Sequence, residues 1–303
     1  MSEDGLWFLE SFTKNQLHSF KVKRLISSFF TKFQKVDIVE LEIFGKTLFL
    51  NGKIQSSQID EFIFHESLVL PSLLTHPSPS EVLIIGGGEG ATLREVLKDK
   101  KIKNAVMVDI DRELVEECEK HLPEWSKGAF KDKRAKIYFE DGEKFIEKAD
   151  QKFDIVILDL SEPVEEAPSV ELFTEEFYKK VYKVLKEDGI VSVQAGSTDP
   201  FYCQFFSSIV KTFQNIFPIV RPYWTFVFSF RMPWGFVCAS KKYDPLNLDE
   251  KELVKRMEER GINSQKFYHA GIHRALFSLP LYLIESINSA SIITKEKPFL
   301  WKA

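Results

Sequence analysis

Apolar residues fall along this chain in two rhythms. Val36-Asp37-Ile38-Val39-Glu40-Leu41-Glu42-Ile43 alternates apolar with polar, the period of a strand with one buried face. A turn at Gly45-Lys46 returns the chain as Thr47 to Leu50, and the Asn51-Gly52 that follows is a strong hairpin signal. An amphipathic helix is predicted from Gln58 to Leu74, ending before His76-Pro77-Ser78-Pro79. Beyond it the apolar residues come as short runs between helical stretches: Val82 to Ile85, Ala105 to Val108, Lys136 to Phe139, Asp154 to Leu158 and Ile190 to Gln194. Runs of this kind read as strands buried on both faces of a doubly wound, mostly parallel sheet. A hairpin formed by Thr225 to Phe230 with Gly235 to Ser240 is expected next, and a short helical tail after it. The pattern divides the chain into a β-rich N-terminal domain with its linking helix, residues 1–76, and an α/β domain, residues 77–303.

Composition narrows the function classes. A chain of 303 residues has room for one large α/β domain with a smaller addition. Its net charge of −4, with lysines and glutamates interspersed, gives no sign of a nucleic-acid surface. Cys118, Cys203 and Cys238 make no paired motif, so a reduced, cytoplasmic protein with neither zinc nor disulfides is expected. The acidic start Met1-Ser2-Glu3-Asp4 leads to no signal-like run, and no stretch approaches the ~20 apolar residues of a membrane span. Most of the 28 phenylalanines must be core.

The chemistry concentrates at the ends of the buried runs. Val82 to Ile85 leads into Gly86-Gly87-Gly88-Glu89-Gly90 and a helix opened by Ala91 and Thr92. Such a turn brings a ligand close to bare backbone, and a phosphate would normally be welcome there. Glu89 argues against phosphate, because two anions would meet with little solvent between them. The loop suits a nucleoside with a positively charged tail, which points to sulfonium nucleosides and amines. Asp109 ends the second run about 20 residues later, placed for ribose hydroxyls. Asp141-Gly142 after the third run is placed for an adenine amino group, and Asp159-Leu160-Ser161-Glu162-Pro163 follows the fourth. Ligands of open parallel sheets bind beyond the carboxyl ends of the strands. Glu89, Asp109, Asp141 and Asp159 together would make an acidic cleft.

Each element also has an ordinary reading. Gly86-x-Gly88-x-x-Ala91 fits a dinucleotide fingerprint, Asp109 a solvent-facing strand end, Asp141-Gly142 a plain turn, and Asp159 a cap. His65-Glu66 is no zinc motif, since Val69 stands where a second histidine would be needed. By default Asp60 and Glu61 are solvated and His65 is a satisfied polar residue near the core.

Gln58-Ile59-Asp60-Glu61-Phe62-Ile63-Phe64-His65-Glu66, the Gly-Gly-Gly-Glu-Gly loop, Arg94-Glu95, Val108-Asp109-Ile110-Asp111, Asp141-Gly142 and Asp159 to Pro163 occur in the order seen in polyamine aminopropyltransferases. From about Trp7 to its end the chain resembles this spermidine synthase family. Glu89, Asp159-Leu160, Gln194-Ala195-Gly196 and Ser229-Phe230 before Trp234-Gly235-Phe236 look most like the thermospermine synthase and agmatine aminopropyltransferase branch. The resemblance implies a seven-stranded Rossmann-like sheet of the methyltransferase type and a homodimer or homotetramer. It implies decarboxylated S-adenosylmethionine as co-substrate, an amine acceptor (putrescine, agmatine or spermidine), release of 5'-methylthioadenosine, and no separate cofactor or metal.

By the same resemblance Asp159 is the catalytic aspartate, which accepts or relays the proton of the attacking amine, and Gln34, Gly86, Gly88, Glu89, Asp109, Asp141, Gly142 and Pro168 hold the nucleoside. Asp60, Phe64, His65, Glu162 and Phe230 face the acceptor, with Glu165 and Glu166 as further partners for its far cation. Three departures bear on the acceptor: Phe64 and Phe230 stand where tyrosines are usual, and Glu162 where aspartate is usual. A longer amine than putrescine is therefore expected. The competing readings are an S-adenosylmethionine-dependent methyltransferase, which Glu89 disfavours, a nicotinamide oxidoreductase, for which no hydride site is evident, and a non-catalytic polyamine-binding protein, which Asp159 disfavours.

Overall fold

The computed structural model describes residues 5–13, 15–163 and 169–301. The N-terminal part is an antiparallel meander of β1 (Leu6–Thr13), β2 (Gln16–Phe30), β3 (Lys35–Leu41), β4 (Gly45–Leu50) and β5 (Lys53–Ser57), each strand beside the next. The alternation seen from Val36 is β3. Leu50 pairs with Lys53 across Asn51 and Gly52, whose φ angles of 50° and 74° are those of a tight primed hairpin turn.

The linking helix, α1 (Glu61–Thr75), departs from the amphipathic expectation: every residue from Ile63 to Thr75 is buried. A helix apolar on one stripe is half-solvated, whereas one buried all round lies inside the molecule. Pro71 in its middle lacks an N–H for the Ser67 carbonyl, and the Tyr223 hydroxyl donates to that oxygen instead at 2.9 Å.

The second sheet carries the site. In chain order it is built from β6 (Glu81–Gly86), α2 (Ala91–Leu97), β7 (Asn104–Asp109), α3 (Arg112–His121), α4 (Pro123–Ser126), β8 (Ala135–Phe139), α5 (Gly142–Lys148), β9 (Phe153–Asp159), α6 (Glu175–Val184), β10 (Leu185–Ser197), α7 (Gln204–Gln214), β11 (Ile219–Val227) and β12 (Met232–Ser240). Helices α8 (Glu250–Arg260), α9 (Ala270–Leu276) and α10 (Leu281–Ser289) form the tail. The seven strands, the number the resemblance implied, lie in the order β11-β12-β10-β9-β6-β7-β8, and only β12 is antiparallel to the rest of the sheet. Val82 to Ile85 are at most 2% exposed, which explains why β6 reads as an unbroken apolar run.

Strand order reverses between β6 and β9, and there Gly86 pairs in register with Asp159. This is the switch point at which open α/β sheets leave a crevice. The last hairpin falls earlier than its pattern suggested. β11 begins at Ile219, and Phe228 to Arg231 form the turn, with Arg231 at a φ of 56°. Phe230 is thus a turn residue rather than a strand residue, and it packs inward at 6% exposure.

Candidate active site

One cleft opens over the carboxyl ends of β6, β7, β8 and β9. Gln34, Phe64, Gly86, Gly88, Glu89, Asp109, Asp141, Gly142, Asp159, Glu162 and Phe230, all picked out from the sequence, line it. The loop after β6 is shaped by what it must avoid. Gly86 has a φ of +83°, and a Cβ there would lie 2.1 Å from the Asp159 carbonyl oxygen. A Cβ on Gly88 would lie 2.8 Å from Asp109 Oδ2. A side chain at Gly86 would push β6 from the end of β9, and one at Gly88 would displace the Asp109 carboxylate.

Asp159 sits at the tip of β9, where Thr92 Oγ1, in the first turn of α2, donates to its Oδ2 at 2.6 Å. Burial pushes the Asp159 carboxyl up to about 6; His65 pulls against this, while Glu89 adds to it. Asp109, 8% exposed, is likewise pushed up to about 6, mainly by burial, with Asp111 and Asp159 as like-charged neighbours. Burial also raises Glu162, to about 7. A crevice that holds this many acids, each reluctant to ionise alone, is a site prepared for cations.

Asp141 and Asp111, near the ends of β8 and β7, each serve twice. Asp141 lines the cleft and also caps α5, accepting from Lys144 N at 2.9 Å. Asp111 caps α3 and receives Gln34 Nε2 at 2.9 Å and Thr31 Oγ1 at 2.7 Å, which ties the N-terminal sheet to the floor beside Asp109. Pro168, Glu165 and Glu166 lie outside the described residues.

Three expectations for α1 change. Asp60 does not line the cleft: at 3% exposure its carboxylate accepts from Ser57 Oγ and from Ser229 N, both at 2.7 Å. It braces the turn that carries Phe230. Glu61 is not solvated but forms a bidentate pair with Arg94, at 3.0 and 2.8 Å. His65, 1% exposed, stands behind Glu89 instead of facing the cleft, its Nε2 2.7 Å from Glu89 Oε1 and its Nδ1 3.0 Å from Glu61 Oε2. Nδ1 also faces the Glu61 carbonyl oxygen at 2.6 Å, so acceptors stand at both ring nitrogens and favour the imidazolium. Burial opposes that charge, but bonds to Glu61 and Glu89 override it and raise the pKa to about 10.

The spermine/spermidine synthase domain matches residues 61–251, and the spermidine synthase tetramerisation domain matches residues 6–58. The chain belongs to the spermine/spermidine synthase family. The polyamine aminopropyltransferase of Sulfurisphaera tokodaii is 43% identical over 293 residues, 96% of this chain and 97% of that protein. That of Pyrobaculum aerophilum is 44% identical over 254 residues, 83% and 87% of the two chains. A spermidine synthase crystallised in complex with the transition state analogue AdoDATO shares the fold with a TM-score of 0.87, at 32% identity, over 95% of this chain and 97% of that one. Spermidine synthase from Thermotoga maritima does so at 0.84 and 33%, over 95% and 96%.

This family member builds the far side of its cleft from aromatic rings. Phe64 stands 5.9 Å from Phe230, and Phe230 stands 4.8 Å from Trp234, between ring centroids. Beyond Glu162 a second chamber continues, lined by Glu10, Phe12, Lys53, Met232 and Trp301 among others. Glu10 is 2% exposed and accepts from Ile54 N at 2.9 Å. Sequence reasoning missed Glu10, Lys53, Trp234 and Gln194 as cleft residues. Only Trp234 and Gln194 carried a signal, through the family stretches in which they lie. Gln194 donates to the Leu160 carbonyl and accepts from Trp234 Nε1 at 3.2 Å, holding the Asp159-to-Glu162 loop against β10 and β12.

Proposed function

We propose that this chain moves the aminopropyl group of decarboxylated S-adenosylmethionine to an amine acceptor in polyamine biosynthesis, releasing 5'-methylthioadenosine. The observation that carries this reading is Glu89. An acid set in a glycine turn, where a phosphate-binding loop would keep bare backbone, calls for a donor whose tail ends in an ammonium and lacks a carboxylate. Intact S-adenosylmethionine would bring its own carboxylate against Glu89, which works against a methyltransferase.

The residues then divide the work. Gln34, Asp109, Asp141 and Gly142 hold the nucleoside, and Glu89 pairs with the donor's ammonium. The acceptor nitrogen attacks the propyl carbon next to sulfur; the C–S bond breaks, and its electron pair neutralises the sulfonium to a thioether. An alkylamine of pKa ~10 must first lose a proton. Asp159, raised to about 6, is the group placed to take or relay it and to align the lone pair. The sulfonium alongside lowers the amine's pKa further.

Donor binding should therefore depend on pH in one direction. Because Asp109, on the nucleoside side, is raised to about 6, its charge is lost as the pH falls through that value. Calorimetric affinity for the decarboxylated donor should drop below about pH 6. Affinity that holds steady down to the ordinary carboxylate range near ~4 would contradict it.

For the acceptor, the wall of Phe64, Phe230 and Trp234 suits a run of methylenes, and Glu162 and Glu10 lie past it for a far cation, with Lys53 offsetting part of their charge. Remote binding of this kind positions the reacting nitrogen. We expect kcat/KM for agmatine or spermidine to exceed that for putrescine when the three compete at equal concentration. A clear preference for putrescine would make the two phenylalanines neutral replacements.

We place the reaction in the cytoplasm and the chain in a homodimer or homotetramer. Among the described residues no helix is long and apolar enough to cross a membrane. Exposed Leu6, Leu9, Leu17 and Leu25 on β1 and β2 suit a subunit interface through the matched tetramerisation domain.

A further inference from the structure

The bonds around Glu89 close into a ring. Ser56 Oγ, on β5, donates to Glu89 Oε2 at 2.9 Å, and Trp125 Nε1, on α4, donates to Ser56 Oγ at 3.0 Å. On the other side Glu89 Oε1 meets His65, His65 meets Glu61, and Glu61 meets Arg94 on α2. Arg94 Nη1 then donates to the Trp125 carbonyl oxygen at 2.6 Å, which completes the circuit. Five separate pieces of chain contribute, and Trp125 is fully buried. The ionised members balance, with Glu61 and Glu89 set against His65 and Arg94. Outside the ring, Arg94 also binds Glu95, and Lys98 binds Glu95 at 2.7 Å.

We infer that Trp125 and Arg94, neither of which lines the cleft, are positioning residues for donor discrimination: the ring fixes both oxygens of Glu89 in one orientation. The inference rests on Glu89 meeting the donor's ammonium. A glutamate in a glycine turn has three free side-chain torsions, and an unrestrained one would swing aside for a ligand that brings its own carboxylate. Held at both oxygens, it cannot turn away from the carboxylate of intact S-adenosylmethionine. It also binds the decarboxylated donor without first being ordered. Trp125 acts through Ser56 on one oxygen, and Arg94 through Glu61 and His65 on the other. A closed ring of satisfied buried polar groups resists rearrangement more than its separate bonds would.

The test is the preference ratio, decarboxylated over intact S-adenosylmethionine, measured by calorimetry alongside donor KM. Trp125→Phe keeps a buried aromatic ring but removes the N–H donor together with part of the indole's volume. The ratio should fall about tenfold, the scale of one lost hydrogen bond, with donor KM rising more than kcat falls. Ser56→Ala, a smaller change that keeps the fold if Trp125→Phe does not, should move the ratio the same way. Glu89→Gln serves as the reference for the underlying reading. A ratio unmoved by Trp125→Phe and Ser56→Ala but shifted by Glu89→Gln overturns the ring's role and leaves the proposed function standing. A ratio unmoved by all three overturns both the ring's role and the reading of Glu89.

Discussion

Asp159→Asn should abolish most turnover, by about 10²–10⁴-fold in kcat, the usual contribution of a general base. The substitution keeps the shape of the side chain at the end of β9. An amide oxygen can still accept the Thr92 hydroxyl, so the local backbone has no reason to move. Two things are lost: the group proposed to take the proton from the attacking amine, and a negative charge that would favour a cationic acceptor. Nucleoside binding should be nearly intact, because Gln34, Asp109, Asp141 and Gly142 are untouched. Steady-state kinetics with calorimetric donor affinity decide the matter. Turnover within a few-fold of the parent chain would remove Asp159 from the chemistry.

Glu89→Gln should weaken the decarboxylated donor and relax the rejection of S-adenosylmethionine. Truncating one side of a buried charge pair costs ~2–5 kcal/mol at desolvated interfaces. The same change leaves His65 short of a carboxylate partner at Nε2, with Glu61 remaining at Nδ1. The affinity ratio of the two nucleosides should therefore fall steeply, driven from both directions. An unchanged ratio would mean that Glu89 serves His65 and Ser56 alone.

What was legible in the sequence follows the physics of each signal. Strands buried on both faces are continuous apolar runs, so β6, β7 and β9 stand out with their terminal acids. The same residues that make the runs place Glu89, Asp109 and Asp159 at one edge, and that part of the site needed no coordinates. The buried nature of α1 was not legible. Ser67, Ser72 and Thr75 are polar residues that an amphipathic helix would turn outward, yet each is buried. Asp60 illustrates the limit most clearly. Its partner Ser229 lies 169 residues away, so nothing local distinguishes a brace from a ligand. Glu10 and Lys53 were missed for the same reason. They come from the N-terminal sheet, and only packing brings that sheet to the mouth of the second chamber. The early end of β11 was hidden because Phe228, Ser229 and Phe230 continue the apolar-polar alternation through a turn.

Product analysis by mass spectrometry tests the central claim most directly. The chain is incubated with decarboxylated S-adenosylmethionine, then separately with the intact nucleoside, each time with putrescine, agmatine and spermidine. The account predicts an amine heavier by one aminopropyl group, formed in step with 5'-methylthioadenosine, from the decarboxylated donor alone. Methylated product from intact S-adenosylmethionine, or amine binding without any turnover of the decarboxylated donor, would contradict it.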